Sequence, residues 1–286
     1  METTKIYHLE SSKIRMTDQE FSRLSQFIYN GYGIKLNAIK KIMLEGRLQK
    51  RLKENSMTSF KEYIDYVFSP EGMDKEVIHM IDVVSTNKTD FFREAIHFDF
   101  MSNVLLPEFV ESQKKHLKIW SAAASSGEEL YTIAIVISEF LEKQNSFDYS
   151  VLGTDISSRI LEKAALAVYP KDRVDKISAT LKSKYFLKSK DIVHPTVRVV
   201  GELRNKTTYQ RLNLMDDSYN VPNDFDIIFC RNVLIYFDRA TQEKVINKLC
   251  QKLKKGGYLF LGHSESLTGL NMPLKQIKPT IFKKNA

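Results

Sequence analysis

In the stretch WSAAASSGEELYTIA, two carboxylates close a loop of small residues: Glu128 and Glu129 follow a single glycine, Gly127. Alanines and serines between an apolar run and an apolar helix let a ligand approach the backbone. The free amides at such a helix start favour an anion. Here the two acids put negative charge into the same first turn. The glycines of a G-x-G-x-x-G turn and the lysine of a P-loop are both missing. The pattern therefore argues against a phosphate ligand. Two readings stand for Glu129. Ser126 to Glu129 fits the S-x-x-E capping box, or the carboxylate meets a cationic group such as an amine or a sulfonium.

Three further stretches end apolar runs with polar residues. In VLGTDIS, Asp155 either accepts hydrogen bonds from a ribose diol, as an acid after a second strand commonly does, or caps a helix beginning near Ser157. Arg231 and Asn232 follow FDIIFC, which reads as a buried strand, so their polar groups must be satisfied by a ligand or by neighbouring loops. GHSES supplies His263, Ser264 and Glu265. No nucleophile–base–acid order accompanies them, which excludes a hydrolase triad, and His263 reads as a structural hydrogen-bonder. Cys230 and Cys250 are two distant thiols, expected to be free and buried, and no metal is expected.

These loops need a scaffold that brings them together. From Lys118 onward, apolar runs alternate with helical patterns (LKIWSAA, EELYTIAIVISEFLEK, YSVLGTDI, SRILEKAALAVY, FDIIFCRN, RATQEKVINKLCQKL, GGYLFLGHSE). That alternation predicts a parallel sheet between helices, with ligands at the carboxyl ends of its strands. HPTVRVVGELRNKTTYQRLNL breaks the rhythm and predicts a small antiparallel insertion. The first 85 or so residues read as helices only. One starts at Thr17 or Asp18 and ends at Gly31 and Gly33; Lys35 to Asn55 gives a second. SFKEYIDYVFS gives a third, ended by Ser69–Gly72, and MDKEVIHMIDVVS runs into the loop TNKTDFFRE.

The bulk numbers fit this plan. The 286 residues are 43% hydrophobic and 27% charged, with no apolar run near the roughly 18 residues that cross a bilayer. The N-terminal METTKIYHLESSKIRM is polar and carries no secretory h-region, so a reduced, cytoplasmic setting is expected. A net charge of +8 suits an acidic partner, whether nucleic acid, anionic lipid or protein.

TNKTDFFRE, WSAAASSGEELYTIA, GTDISSRILEKAALAVY, FDIIFCRNVLIYFD and GGYLFLGHSESL occur here in the order found in CheR-type chemotaxis receptor methyltransferases. The chain resembles that family from about Thr17 to its end. The resemblance implies an all-helical N-terminal domain, residues 1–85, used in substrate docking. It implies a Rossmann-like α/β S-adenosylmethionine-dependent methyltransferase domain, 86–286, with a small antiparallel β-insertion at about 190–212. It implies methyl transfer to glutamate side chains on chemoreceptor cytoplasmic helices, with S-adenosylhomocysteine as product, by a monomer. It also assigns roles: Asn87, Thr89 and Arg93 face the cofactor, Arg93 near its reacting end. Ala123 and Glu129 lie at the loop and helix start, with Glu129 toward the methionine part. Asp155 takes the ribose, Asn213 and Leu214 the adenine region. Arg231 and Asn232 line the pocket, and Tyr236 sits near the methyl-transfer point.

A glutamate with a pKa of about 4.3 is already the nucleophile at neutral pH, so positioning and electrostatics suffice. Arg93 either orients that carboxylate or only supports the cofactor, while Tyr236 shapes the space around the methyl. From Lys35 to Lys53 the chain has seven basic residues and one acid, Glu45. Lys40, Arg47 and Arg51 fall within a narrow arc of one helix, either a docking face for acidic receptor helices or a solvated face. Some family members grip a receptor tail peptide with a glycine-rich turn in the β-insertion. Here no glycine lies between Leu187 and Val199, so independence of such a tether is expected. A nucleic-acid methyltransferase and a non-catalytic S-adenosylmethionine-binding adaptor are the rival functions. The first lacks an obvious base-stacking platform, and the second is opposed by the intact site positions.

Overall fold

The computed structural model describes residues 14–144 and 146–285, so most of the polar N-terminal segment lies outside the described residues. By contact pattern the chain forms two compact units. One runs up to Asn30 and takes in Leu36–Val84; the other comprises Gly31–Lys35 and everything from Ser85.

In the helical unit, Thr17 and Glu20 form a reciprocal box at the start of α1 (Asp18–Tyr32). The Glu20 amide donates to Thr17 Oγ1 at 3.2 Å, and the Thr17 amide donates to the Glu20 carboxylate at 2.7 Å. A 3-10 turn at Ala38–Lys40 precedes α2 (Lys41–Glu54), which buries Leu44, Leu48 and Leu52 at helical spacing. Ser59 caps α3 (Phe60–Val67). The stretch Ser69–Gly72, expected to end that helix, also begins the next. Ser69 caps α4 (Pro70–Lys75), and Pro70 sits at a first-turn position where its missing N–H costs nothing. After α4 comes α5 (Val77–Val84), which buries Val77, Met80, Ile81 and Val84.

In the second unit, α6 (Ile96–Phe100), a π-turn at Met101–Leu105 and α7 (Leu106–Glu111) lead to β1 (His116–Ser121). The chain then alternates: α8 (Glu128–Leu141), β2 (Asp148–Asp155), α9 (Ser158–Leu166), β3 (Val168–Pro170), α10 (Ala179–Tyr185), β4 (Phe186–Lys188), β5 (Thr196–Val199) and α11 (Gly201–Arg204). It continues through β6 (Thr207–Arg211), β7 (Phe225–Cys230), α12 (Arg239–Lys252), β8 (Leu253–Leu261), β9 (Leu274–Lys278) and β10 (Ile281–Lys284). The main sheet runs β6-β2-β1-β7-β8-β10-β9, parallel from β6 to β8 and antiparallel beyond. All six residues of β7 are buried, as a central strand covered on both faces requires. Ile119, Phe229 and Phe260 pack on one face; Trp120, Ile228 and Leu259 pack on the other.

The small antiparallel sheet, β3-β5-β4, draws on earlier residues than the expected 190–212. Of that range, only Thr196–Val199 joins it; Thr207–Arg211 pairs in parallel with β2 as the edge of the main sheet. An edge strand is covered unevenly, so TTYQR carries the polar alternation that reads as antiparallel.

Candidate active site

The sheet order reverses between β1 and β7, where an open α/β sheet leaves a crevice at its strand ends. Arg231, the first residue beyond β7, is buried there and grips both sides. Its guanidinium donates to Glu129 Oε2 at 2.9 Å, to Glu94 Oε2 at 2.9 Å and to the Arg93 carbonyl at 2.5 Å. Ser121, the last residue of β1, donates its hydroxyl to Glu129 Oε1 at 2.7 Å. Glu129 therefore does not cap its helix. The N-cap of α8 is Gly127, at φ 93°, and Ser126 donates instead to Glu128 at 2.6 Å. A left-handed N-cap turns the Ser126 hydroxyl away from the third-residue amide, so the capping box never forms and Glu129 is left to face the crevice.

Asn232 occupies the left-handed region at φ 59°. One carboxylate supports that turn: Glu265 accepts the amides of Asn232 (3.0 Å), Val233 (2.8 Å), Leu234 (2.7 Å) and Gly262 (2.6 Å). The ends of β7 and β8 are thus tied by a single side chain. A Cβ on Gly262 would lie 2.4 Å from the Asn232 side-chain nitrogen and 2.8 Å from its backbone nitrogen, so only glycine allows the two loops to touch. The Asn232 side chain in turn donates to Glu94 Oε1 at 3.1 Å. Tyr236 ends the 3-10 turn Leu234–Tyr236 that follows, half-buried, its carbonyl accepting from the Lys35 amide at 3.4 Å.

At the end of β2, Asp155 accepts backbone amides on both oxygens, from Ser125 at 2.9 Å and Ser157 at 3.1 Å. Helix α9 is capped by Ser157, so Asp155 is not its cap and keeps acceptor capacity. Register places Asp155 opposite Arg211, hence Asn213 and Leu214 follow at the neighbouring strand end. Leu214 is buried, and Asn213 accepts the Met215 amide and donates to the Gly31 carbonyl at 2.8 Å. Half-buried Ala123 lies between Ala122 and Ala124, whose amides donate to Phe229 and Thr154. The loop TNKTDFFRE closes over this region. The Asn87 carbonyl accepts from the Ser125 hydroxyl at 3.0 Å, the Thr89 carbonyl from Arg173, and the Lys88 carbonyl from Arg93 at 3.0 Å.

Charge is tightly organised. Burial would raise the Glu94 carboxyl, but hydrogen bonds from Asn232 and Arg231 and the guanidinium charge hold it at about 2. Burial pushes the Glu129 and Glu265 carboxyls up, against the hydrogen bonds that each accepts. Burial and the Arg231 charge hold the His97 imidazole at about 4. The donor set suits a ribose diol at Asp155 and a cationic amino-acid part at Glu129. A phosphate would meet carboxylates.

Comparison with known proteins agrees. Residues 87–283 match the model of the CheR methyltransferase, SAM binding domain, and residues 19–85 that of the CheR methyltransferase, all-alpha domain. The chain belongs to the CheR methyltransferase family. A chemotaxis protein methyltransferase of Borreliella burgdorferi is 41% identical over 277 residues, 95% of this chain and 96% of its own length. That of Salmonella typhimurium is 36% identical over 260 residues, 91% and 88% of the two chains. The CheR family thus makes this an S-adenosylmethionine-dependent methyltransferase of chemotaxis.

Within this CheR chain, the carbonyls of Asn87, Thr89 and Arg93 all accept hydrogen bonds from the surrounding loops and Arg231, whereas the Arg93 guanidinium stays outside the Arg231 cluster. Glu94 and the four-amide grip of Glu265 escaped the sequence reading; the signal was that buried Arg231 and Asn232 needed partners, and acids in the facing loops supply them. In the basic arc of the helical unit, two residues have partners inside the unit. Arg51 donates to Glu76 through two nitrogens (2.8 and 2.5 Å), with Tyr63 on the same carboxylate at 2.7 Å, and Arg47 donates to the Val84 carbonyl. A helix arc locates side chains but not their partners on the next helix, and α2 turns Arg51 inward. Lys40 is half-buried on the 3-10 turn. Cys230 and Cys250 are free and buried, and no described helix is long and apolar enough to cross a membrane.

Proposed function

We propose that this enzyme methylates glutamate side-chain carboxylates on the cytoplasmic helices of chemoreceptors, producing glutamyl methyl esters and S-adenosylhomocysteine. The observation that carries the reading is that two adjacent parallel strands end on carboxylates, Glu129 bonded from α8 to the last residue of β1 and Asp155 the last residue of β2, with neither a glycine-rich turn nor a P-loop lysine between strand and helix. S-adenosylmethionine, when bound, supplies an electrophilic methyl on a sulfonium. Glu129 receives the amino-acid part and Asp155 the ribose hydroxyls. Asn213 and Leu214 hold the adenine end, and Ala123, Asn87 and Thr89 complete the walls. Arg231 and Asn232 fix Glu129 and the turn leading to Tyr236.

The receiving carboxylate is ionised at neutral pH, so the chain supplies no general base. Its work is to hold that oxygen in line and to exclude water. Arg93 orients the incoming carboxylate, and Tyr236 shapes the space beside the methyl. The enzyme acts as a monomer in the cytoplasm. It docks through the basic segment Lys35–Lys53 and needs no receptor tail peptide; micromolar binding of an isolated tail peptide would contradict the last point. The deciding experiment incubates the protein with methyl-labelled S-adenosylmethionine and either a receptor cytoplasmic fragment or RNA. Base-labile label on the fragment supports carboxyl methylation; label on RNA alone, or none, refutes it. In Arg93→Ala, lost turnover with near-normal S-adenosylhomocysteine binding is expected; poor binding would reduce Arg93 to a cofactor support.

A further inference from the structure

His97 is wholly buried, and its two ring nitrogens have unequal surroundings. Nε2 lies 2.8 Å from Thr280 Oγ1, and that hydroxyl gives its one hydrogen to the Pro279 carbonyl at 2.7 Å. The threonine oxygen is therefore the acceptor, Nε2 carries the ring proton, and Nδ1 presents a bare lone pair. Nδ1 is buried with no hydrogen-bond partner, and it faces Glu94 Oε2 at 3.6 Å. A lone pair set against a carboxylate oxygen in a closed interior is unfavourable unless a cation lies between them. On the open side, the exposed His263 ring brings Nε2 to 3.9 Å from the same oxygen. One ligand atom from each of Glu94, His97 and His263 lies within 4.8 Å of the others.

We infer that Glu94, His97 and His263 form a binding site for a zinc-class divalent cation. Two imidazoles and one carboxylate are the donor set such an ion takes, with the fourth position left to water. Metal–ligand bonds of about 2.0–2.2 Å in a tetrahedron put neighbouring ligand atoms about 3.4 Å apart. The separations at Glu94, 3.6 and 3.9 Å, need closing by only a few tenths of an ångström. The His263 ring stands edge-on to His97 with centroids 5.6 Å apart, and its exposed side leaves it room to turn and close the longer gap to His97, which is within 4.8 Å. The ion enters from solvent on the His263 side. There it shares Glu94 Oε2 with Arg231, which Glu129 continues to hold. This departs from the sequence expectation of no metal, which considered the cysteines and read His263 as structural. The site stands independently of the methyl acceptor.

The test uses the full chain, stripped with a chelator and dialysed. Titration with Zn2+ alone, followed calorimetrically, is expected to give one bound equivalent. Titration with Co2+ alone is expected to give the visible ligand-field bands of a four- or five-coordinate nitrogen–oxygen site, a readout that needs no variant. His263→Ala should weaken Zn2+ binding by at least about tenfold and abolish the cobalt bands. His116→Ala, at a separate exposed histidine near Asp148, should change neither. Absence of stoichiometric Zn2+ binding, cobalt bands of purely octahedral aqua type, or undiminished binding by His263→Ala would each overturn the proposal.

Discussion

Arg231 neutralises two carboxylates with one guanidinium, and all three side chains are almost shut off from solvent, at 2, 10 and 12% exposure. Removing the cation leaves Glu94 and Glu129 facing each other uncompensated. Arg231→Met is therefore expected to cost about 3–5 kcal/mol of folding stability. Arg231→Lys should recover only part of that, because a single ammonium cannot fork to both partners. Chemical denaturation of the two variants checks the order; a lysine variant as stable as the parent would sink the fork argument. Glu265→Gln poses a different problem. Its amide offers one acceptor oxygen and two unwanted donors to four N–H groups, so about 2 kcal/mol or more should be lost. The displaced turn should also weaken S-adenosylhomocysteine binding, which calorimetry reads directly; a stable variant that binds normally would show the four-amide grip to be dispensable. The residue types at this site were legible in the sequence, since polar side chains after buried strands announce themselves. Their partners were not, because Glu94, Glu129 and Glu265 reach Arg231 and Asn232 from positions 33 to 138 residues away in sequence.

At the scale of elements, the loop from Ala122 to Gly127 works because its last residue is left-handed. A Cβ at Gly127 would lie 2.9 Å from the Ala164 Cβ on α9, in addition to the φ of 93°. Gly127→Ala is expected to cost about 1–2 kcal/mol from backbone strain alone and to shift α8, so binding of S-adenosylhomocysteine should fall with melting temperature. An unshifted melting curve would argue that the loop adapts. In the helical unit, α2, α3 and the turn after α4 meet at Glu76, whose side chain is 3% exposed. Burial would raise that carboxyl, but hydrogen bonds from Arg51, Tyr63 and Asn55 outweigh it and bring it below its ordinary 4.5. A lowered folded-state pKa contributes stability that is complete above about 4.5 and fades as pH falls through the folded value. Glu76→Gln should therefore flatten the loss of stability below pH 4.5, as seen in denaturation at a series of pH values; an unchanged acid limb would mean that Glu76 is not its source. Periodicity predicted α1, α2 and α3, but it read Met73–Ser85 as one helix, which the structure breaks at Glu76 into α4 and α5. It misjudged what began at Ser69, where Pro and Gly mark a helix start as readily as an end, and it took the polar alternation of an edge strand for an antiparallel insertion.

At the scale of the whole molecule, the charge of +8 and the basic run from Lys35 to Lys53 make association with an acidic substrate sensitive to salt. Raising ionic strength from about 0.05 to 0.5 M shortens the screening length severalfold. KM for a receptor fragment should rise accordingly, while the affinity for S-adenosylhomocysteine, set inside the crevice, should stay within about twofold. Exposed Lys50 and Lys53 carry the same argument, so Lys50→Glu with Lys53→Glu should raise KM without changing kcat. A salt-independent KM would reject electrostatic docking.

Four amides that share one acceptor also share one clock. When the Glu265 carboxylate lets go, Gly262, Asn232, Val233 and Leu234 lose their protection together. Two loops more than 25 residues apart should therefore take up deuterium with a single opening constant. A strand end that seems local in sequence would then open and close in step with its neighbour.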